Sequence, residues 1–164
     1  MATLVYINSE NGLAKSAYEV VTYAKKLGEE VVVVTTGSQD ELTLAALGNY
    51  GASKVLVENS VSGNDAHQLT RVIASAVDLT SANTIVFSHD IIAKAVAPRL
   101  SVRLKAGLIS GAIEVPNGNT VKVNVFSGKA FGNVSISSDK RIISLLPNSI
   151  QPEENRSVCT VESF

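Results

Sequence analysis

Ser88-His89-Asp90 contains the three side-chain types of a hydrolase triad. A triad works only when its three side chains converge in space, and adjacent residues at the end of a strand do not converge. We therefore interpret Ser88 or Asp90 as the cap of the helix that follows, with His89 in an exposed turn. This run does not predict a hydrolase.

Two other segments have partial features of phosphate-binding loops. Ser127-Gly128-Lys129-Ala130 resembles the end of a Walker loop, but the earlier glycine is missing and Ala130 has no hydroxyl group for magnesium. Residues 8–13, which follow the first predicted strand, contain a single glycine, whereas a dinucleotide fingerprint needs several. We interpret the first segment as a hairpin turn and predict no tight nucleotide binding at the second.

The remaining candidates for chemistry are His67 and Cys159. His67 has no cysteine or histidine at metal-ligand spacing, so no metal site is predicted. Cys159 is the single cysteine, so it has no partner for an internal disulfide, and no basic neighbour is evident that would activate its thiol. The sequence therefore predicts no catalytic machinery, and we expect a protein that is not an enzyme.

Charge and hydropathy exclude two classes of partner. Fourteen basic and fifteen acidic residues give a net charge of −1, without the basic stripe that binds nucleic acid. No apolar run approaches the ~20 residues that span a bilayer, and no signal or transit peptide is evident. We expect a cytoplasmic, bacterial-like protein without nucleic-acid binding or membrane insertion.

Alternating strands and helices form the first two thirds of the chain. Apolar side chains make up 45% of the residues and aromatic ones only 5%, which is typical of a buried parallel sheet covered by helices. Strands are predicted at residues 4–7, 31–34, 54–57 and 84–87, and helices at 13–27, 42–50, 69–77 and 91–104. Ser38 or Asp40 is the expected cap of the second helix, and Pro98 is expected to kink or break the fourth. The pattern predicts an α/β domain with right-handed crossovers.

After Lys105 strands replace the helical pattern. Strands are predicted at residues 108–115, 121–125, 130–137 and 141–146, and antiparallel pairing is expected there. Residues 1–147 are expected to form the domain. Residues 148–164 are polar and rich in turn formers, so they are predicted to be an arm or linker, with a short last strand considered at 157–161.

Three stretches resemble the amino-terminal domain of electron transfer flavoprotein α subunits, a FixB-like family. The first is the opening strand with Asn8-Ser9-Glu10-Asn11-Gly12-Leu13. The second contains Ala97-Pro98-Arg99-Leu100, followed by Arg103-Leu104 and Gly107-Leu108. The third, Val125-Phe126-Ser127-Gly128-Lys129-Ala130, is similar to an aromatic-Ala-Gly-Asn-Ala turn of that family, with Ser127 and Lys129 at the alanine and asparagine positions.

This resemblance implies a nucleotide-α-hydrolase-like, Rossmann-like fold and a function in electron transport. It implies a heterodimeric carrier that takes electrons from flavin dehydrogenases and passes them to a quinone-linked or other acceptor. FAD would be bound mainly by a further domain missing from this chain, so no cofactor is expected on these residues alone. The chain would be the scaffold that pairs with the β subunit.

The hairpin is the candidate subunit interface, because aromatic residues are enriched in interface cores. Its candidate residues are Phe126, Ser127, Gly128, Lys129 and Phe131. The alternative for the two rings is that they cover the sheet. For the chain as a whole, the alternatives are a stand-alone adenine-nucleotide-binding domain of the universal-stress type and an isolated small-molecule enzyme.

Overall fold

One mixed sheet forms the centre of the molecule. The computed structural model of the chain describes residues 2–37, 39–155 and 157–164. Within that part the sheet has nine strands in the order β7-β6-β5-β8-β4-β1-β2-β3-β9. Their bounds are β1 Ala2–Asn8, β2 Glu30–Thr36, β3 Lys54–Glu58, β4 Ala82–Ser88, β5 Gly107–Ala112, β6 Thr120–Val125, β7 Ala130–Ser135, β8 Arg141–Leu145 and β9 Thr160–Ser163. The predicted α/β fold is confirmed.

In the described residues, four helices cover both faces of the sheet. Their bounds are α1 Lys15–Lys26, α2 Glu41–Ala45, α3 Ala66–Thr80 and α4 Ile91–Leu104, and a 3₁₀ turn, Ala46–Tyr50, continues α2. Buried side chains of α1 and α2 share one core cluster, and those of α3 and α4 share the other. The sheet therefore separates two cores.

The strand β2 shows why the central strands are uniformly apolar. Val31 and Val33 belong to the core under α1, whereas Val32 and Val34 belong to the core under α3. Because successive side chains of a strand point to opposite faces, a strand covered on both faces needs apolar residues at every position. The four consecutive valines meet that requirement.

Aspartates begin three of the helices. The carboxylates of Asp40, Asp65 and Asp90 each accept hydrogen bonds from backbone N–H groups in the first turn of α2, α3 and α4. These bonds satisfy donors that have no partner inside a helix. Ser38, the other candidate cap of α2, lies outside the described residues.

The helix α4 continues through Pro98 without the break considered in the sequence analysis. Proline removes one backbone hydrogen bond, but the residues on either side of it are held by tertiary contacts. Ala97 and Leu100 are buried in the core against the sheet, while Pro98 lies on the exposed side. Packing of the apolar face thus keeps the helix intact.

The last third of the chain adds both antiparallel and parallel strands. β6 pairs antiparallel with β5 and β7, as expected. β8 differs from that expectation, since it lies parallel between β4 and β5. Ile142 and Ile143 are buried on opposite faces, and a strand with two buried faces is most stable inside the sheet.

The arm, residues 148–164, lies along α1 and the 3₁₀ turn and ends in β9, which pairs parallel with β3. The backbone N–H of Asn148 donates to Glu19 Oε2 at 3.0 Å, and that of Glu153 donates to Thr22 Oγ1 at 3.2 Å. β9 overlaps the last strand considered at 157–161. Arg156 lies outside the described residues.

Candidate functional site

The hairpin between β6 and β7 is built from a tight turn with unusual backbone geometry. Phe126, Ser127 and Gly128 have φ angles of 50°, 54° and 82°. The backbone N–H of Lys129 donates to the carbonyl of Phe126 at 3.1 Å and closes the turn. Positive φ is natural for glycine but costs energy for phenylalanine and serine. The predicted hairpin turn is confirmed.

Both aromatic rings of the hairpin face solvent. Phe126 is 81% exposed and Phe131 is 65% exposed. The ammonium group of Lys122 lies 4.6 Å from the centroid of the Phe131 ring and 2.9 Å from Glu114 Oε1. These rings are therefore not buried against the sheet, and a large apolar area is left at the tip and side of the hairpin.

The strand β7 also forms one outer edge of the sheet. In the described part of the chain, β7 pairs with β6 alone. Its sequence, AFGNVS, contains no charged residue, and Phe131 and Val134 are among its exposed side chains. An uncharged edge strand presents unpaired backbone groups and apolar side chains together, which favours association with another surface.

The carboxyl ends of β1, β2 and β3 form a second candidate site, because doubly wound sheets commonly bind ligands at this edge. Here the loops contact one another. Glu10 Oε1 accepts a hydrogen bond from the backbone of Gly63 at 2.6 Å, and Gln39 Nε2 donates to the carbonyl of Ser9 at 2.9 Å. A Cβ atom at Gly37 would lie 2.6 Å from the backbone nitrogen of Glu10, so only glycine fits this contact.

A small cavity remains beside these loops, between β1, β4 and the start of α1. Its volume is about 100 Å³, and Tyr6, Ser88 and Asp90 are among the residues that line it. The Tyr6 hydroxyl lies 2.8 Å from Thr36 Oγ1, and burial raises the pKa of this phenol to about 12. The phenol therefore stays protonated at neutral pH and is not a ready base.

Of the three residues Ser88-His89-Asp90, His89 lies apart from the cavity that Ser88 and Asp90 line. Asp90 caps α4 through the backbone N–H of Ala93, which confirms the predicted role of one of the two candidate caps. His89 is half-buried rather than in an exposed turn, because its Nδ1 lies 2.9 Å from Oγ of the buried Ser144. Burial and the nearby Lys94 ammonium lower the pKa of the imidazole. Sequence reasoning missed Ser144, which lies 55 positions away along the chain.

His67 and Cys159 occupy unrelated places. His67 is exposed in the first turn of α3, and the described residues contain no group of three His, Cys, Asp or Glu side chains that could hold a metal ion. Cys159 is part of the arm and lies beside Gly48, and burial raises the pKa of its thiol. A raised pKa lowers the thiolate fraction and so lowers reactivity.

The family of the chain follows from comparison with known proteins. A family model described as "Electron transfer flavoprotein domain" matches residues 3–163. The chain belongs to this family. The match spans every strand except the first residue of β1, and it confirms the resemblance carried by the three sequence stretches.

Curated relatives of the chain include electron transfer flavoprotein α subunits. The chain is 34% identical to the subunit of Bacillus subtilis (strain 168) over 131 residues, which cover 76% of this chain and 40% of that protein. It is 28% identical to the subunit of Syntrophomonas wolfei over 151 residues, 88% of this chain and 48% of that protein. The chain therefore spans less than half the length of these relatives.

The helices also bear on the question of membrane insertion. Among the described residues, no helix combines the length and the apolar character needed to cross a membrane.

Proposed function

We propose that this chain is the scaffold and subunit-interface domain of a heterodimeric electron carrier that contains FAD. The carrier passes electrons from flavin dehydrogenases to a quinone-linked or other acceptor in the cytoplasm. Membership of the electron transfer flavoprotein domain family and similarity to α subunits support this proposal. The observation that carries the interface role is the pair of exposed phenylalanines on the hairpin that ends in the uncharged edge strand β7.

The small cavity at the carboxyl edge of the sheet supports placing FAD on another domain. Cofactor sites usually enclose about 300–1,000 Å³, whereas the cavity beside Tyr6 has a volume of about 100 Å³. The contacts of Glu10 with Gly63 and of Gln39 with Ser9 hold the loops across this edge. We therefore assign FAD mainly to a further domain of the α subunit and assign no electron-transfer step to the residues of this chain.

The same geometry disfavours the alternative of an adenine-nucleotide-binding domain. A nucleotide would need backbone N–H groups that are free to face its phosphates. The backbone N–H of Gly63 already donates to Glu10, and Gly37 packs against the backbone of that same glutamate. The loops that could bind phosphate are therefore engaged with each other.

The hairpin has the properties of an interface core. Aromatic residues supply large contact area at low entropic cost and are frequent hot spots of binding energy. Phe126 and Phe131 are exposed on either side of a turn whose backbone is fixed by the bond between Lys129 and Phe126. A fixed turn limits the ordering cost of association. We assign this surface to contact with the β subunit.

Association with the β subunit of the same organism tests the proposal. Phe126→Ala/Phe131→Ala should weaken binding by about 1,000-fold, because each ring is placed as a hot spot worth about 2 kcal/mol and every 1.4 kcal/mol is tenfold. Isothermal titration calorimetry measures this affinity, and circular dichroism verifies the fold of each variant.

Leu42→Ala is the matched control, because Leu42 is an equally exposed apolar residue, 85% exposed, on α2. Its affinity for the β subunit should equal that of the unmodified chain. An unchanged affinity of the folded double variant would overturn the interface role. Stoichiometric FAD on the purified chain alone would overturn the assignment of FAD to another domain.

A further inference from the structure

The groove between α3 and α4 gathers cationic side chains that are far apart in the sequence. Arg71 of α3 faces Arg99 and Arg103 of α4, and His67 lies beside them. The groove has a volume of about 620 Å³ and opens widely to solvent. In a chain with a net charge of −1, this is a local concentration of positive charge.

None of the three guanidinium groups forms an ion pair within 4 Å in the part of the chain that the structure describes, and Asp78, seven positions after Arg71 on α3, forms none either. Among the described residues, the ion pairs within 4 Å involve Lys15, Lys26, Lys54 and Lys122. Helix α4 contains no acidic residue, and the carboxylate of Asp65 at the start of α3 accepts hydrogen bonds from the backbone N–H groups of that helix. Arg99 and Arg103 lie four positions apart, a spacing at which like charges on a helix repel.

Apolar side chains lie among these arginines. Val102 is 82% exposed, and Pro98 is also exposed one turn earlier on α4. The groove contains no lysine. Protein interfaces are enriched in arginine and depleted in lysine, and their centres are apolar. A free inorganic anion would neutralise the arginines but would leave Val102 and Pro98 in water.

We propose that the α3–α4 groove is a docking surface for an acidic segment of a partner protein that also carries apolar side chains. Charge complementarity selects the acidic character, since carboxylates accept paired hydrogen bonds from guanidinium groups. Exposed Val102 and Pro98 select a segment with apolar residues. This surface is separate from the hairpin and does not depend on the role assigned to that hairpin.

The probe for this surface is a fluorescein-labelled helical peptide with glutamates on one face and leucines beside them. Fluorescence anisotropy measures its binding to the chain. Arg103→Glu should weaken binding about tenfold, because it places a like charge against the peptide. Raising the salt concentration from about 20 mM to about 200 mM should also weaken binding. Val102→Ser should weaken it about threefold through loss of apolar contact.

Lys25→Glu is the matched control, because Lys25 is exposed and occupies the last turn of α1 as Arg103 occupies the last turn of α4. This variant should bind the peptide as the unmodified chain does. Arg71→Gln, which reverses no charge, provides a second loss-of-binding variant if Arg103→Glu does not fold.

Three results would overturn the proposal. The first is undetectable peptide binding, and the second is equal weakening by Arg103→Glu and Lys25→Glu, which indicates unspecific attraction. The third is full displacement of the peptide by tripolyphosphate at matched ionic strength together with unchanged binding to Val102→Ser. That outcome would identify a site for a small phosphate compound.

Discussion

The two outer strands of the sheet differ in their protection against pairing with other chains. β9 has four residues, and Glu162 within it forms an ion pair with Lys54 of β3 at 3.0 Å. β7 has six residues without any charge, and it carries Phe131 and Val134 exposed. Natural sheets commonly blunt their edges with short strands and charged side chains. β9 follows that rule and β7 does not.

The two edges also differ in what lies against them. The β9 edge is completed by the chain itself, because the arm brings β9 there and holds it through contacts with α1 and the 3₁₀ turn. The β7 edge offers uncovered apolar area next to unpaired backbone groups. An edge of that kind is stable in the cell when another protein covers it.

The largest expected difference in the free energy of unfolding is between alanine substitutions of two phenylalanines. Phe87 is buried in β4 and Phe126 is exposed in the hairpin. Phe87→Ala should lower the free energy of unfolding by about 3–5 kcal/mol through the cavity it creates, whereas Phe126→Ala should change it by no more than about 0.5 kcal/mol. Urea denaturation measures both values. A large loss for Phe126→Ala would show that the hairpin belongs to the core.

A second contrast compares glycines near the two edges. A Cβ atom at Gly48 would lie 2.6 Å from Cβ of Cys159 and 2.9 Å from the carbonyl oxygen of Ser157, so Gly48→Ala must displace the arm. We expect a loss of about 1–3 kcal/mol in the free energy of unfolding.

Gly132 of β7 is the control for that substitution. Its Cβ atom would meet only Val125 and Val123 side chains, at 3.5 and 3.6 Å, which is ordinary contact. Gly132→Ala should stay within about 0.5 kcal/mol of the unmodified chain in the same urea titration. Equal effects of the two substitutions would mean that the arm is not held against Gly48 in solution.

A third and smaller difference in the free energy of unfolding is expected between substitutions of two glutamates that hold the arm. Glu19 is buried, and its Oε2 accepts the hydrogen bond from the backbone of Asn148. Glu19→Ala leaves that N–H group without its partner, so a loss of about 1–2 kcal/mol is expected. Glu153, which pairs with Lys26 at 2.6 Å, is partly exposed.

Glu153→Ala should therefore cost less than about 1 kcal/mol, as is usual for surface ion pairs. Hydrogen exchange of the β9 amides would report loosening of the arm, and it should rise in Glu19→Ala but not in Glu153→Ala. Faster exchange in both variants would show that the surface pair matters as much as the buried carboxylate.

Local sequence signals predicted most of the fold. The four valines of β2 and the predicted caps Asp40 and Asp90 act through neighbours only a few residues away. Asp65, which caps α3 in the same way, was not named as a cap in the sequence analysis. Turn residues around Gly128 likewise predicted the hairpin, whereas the sequence left open whether its two rings cover the sheet or face solvent. These features depend on periodicity, capping and turn chemistry, all of which can be read from short windows.

Features made by distant residues could not be predicted in this way. Ser144 reaches His89 because β8 inserts beside β4, and nothing in residues 88–90 indicates that neighbour. Arg71 meets Arg99 because α3 packs on α4, although the two residues belong to separate strand–helix units. Periodicity predicts that β8 is a strand, but it does not distinguish among the positions that this strand could take in the sheet.

The position of β8 also sets an order for folding. β1, β2, β3 and β4 pair with one another through successive crossovers, so that half of the sheet can form as the chain emerges. β5 has no earlier strand beside it, because the place between β4 and β5 belongs to β8, which follows the hairpin. When β8 enters this place, Arg141 forms a hydrogen bond with Thr84, which lies 57 positions earlier in the chain. We expect β5 to β8 to condense together after β1 to β4, since the long loop must close before the contacts of β8 can form.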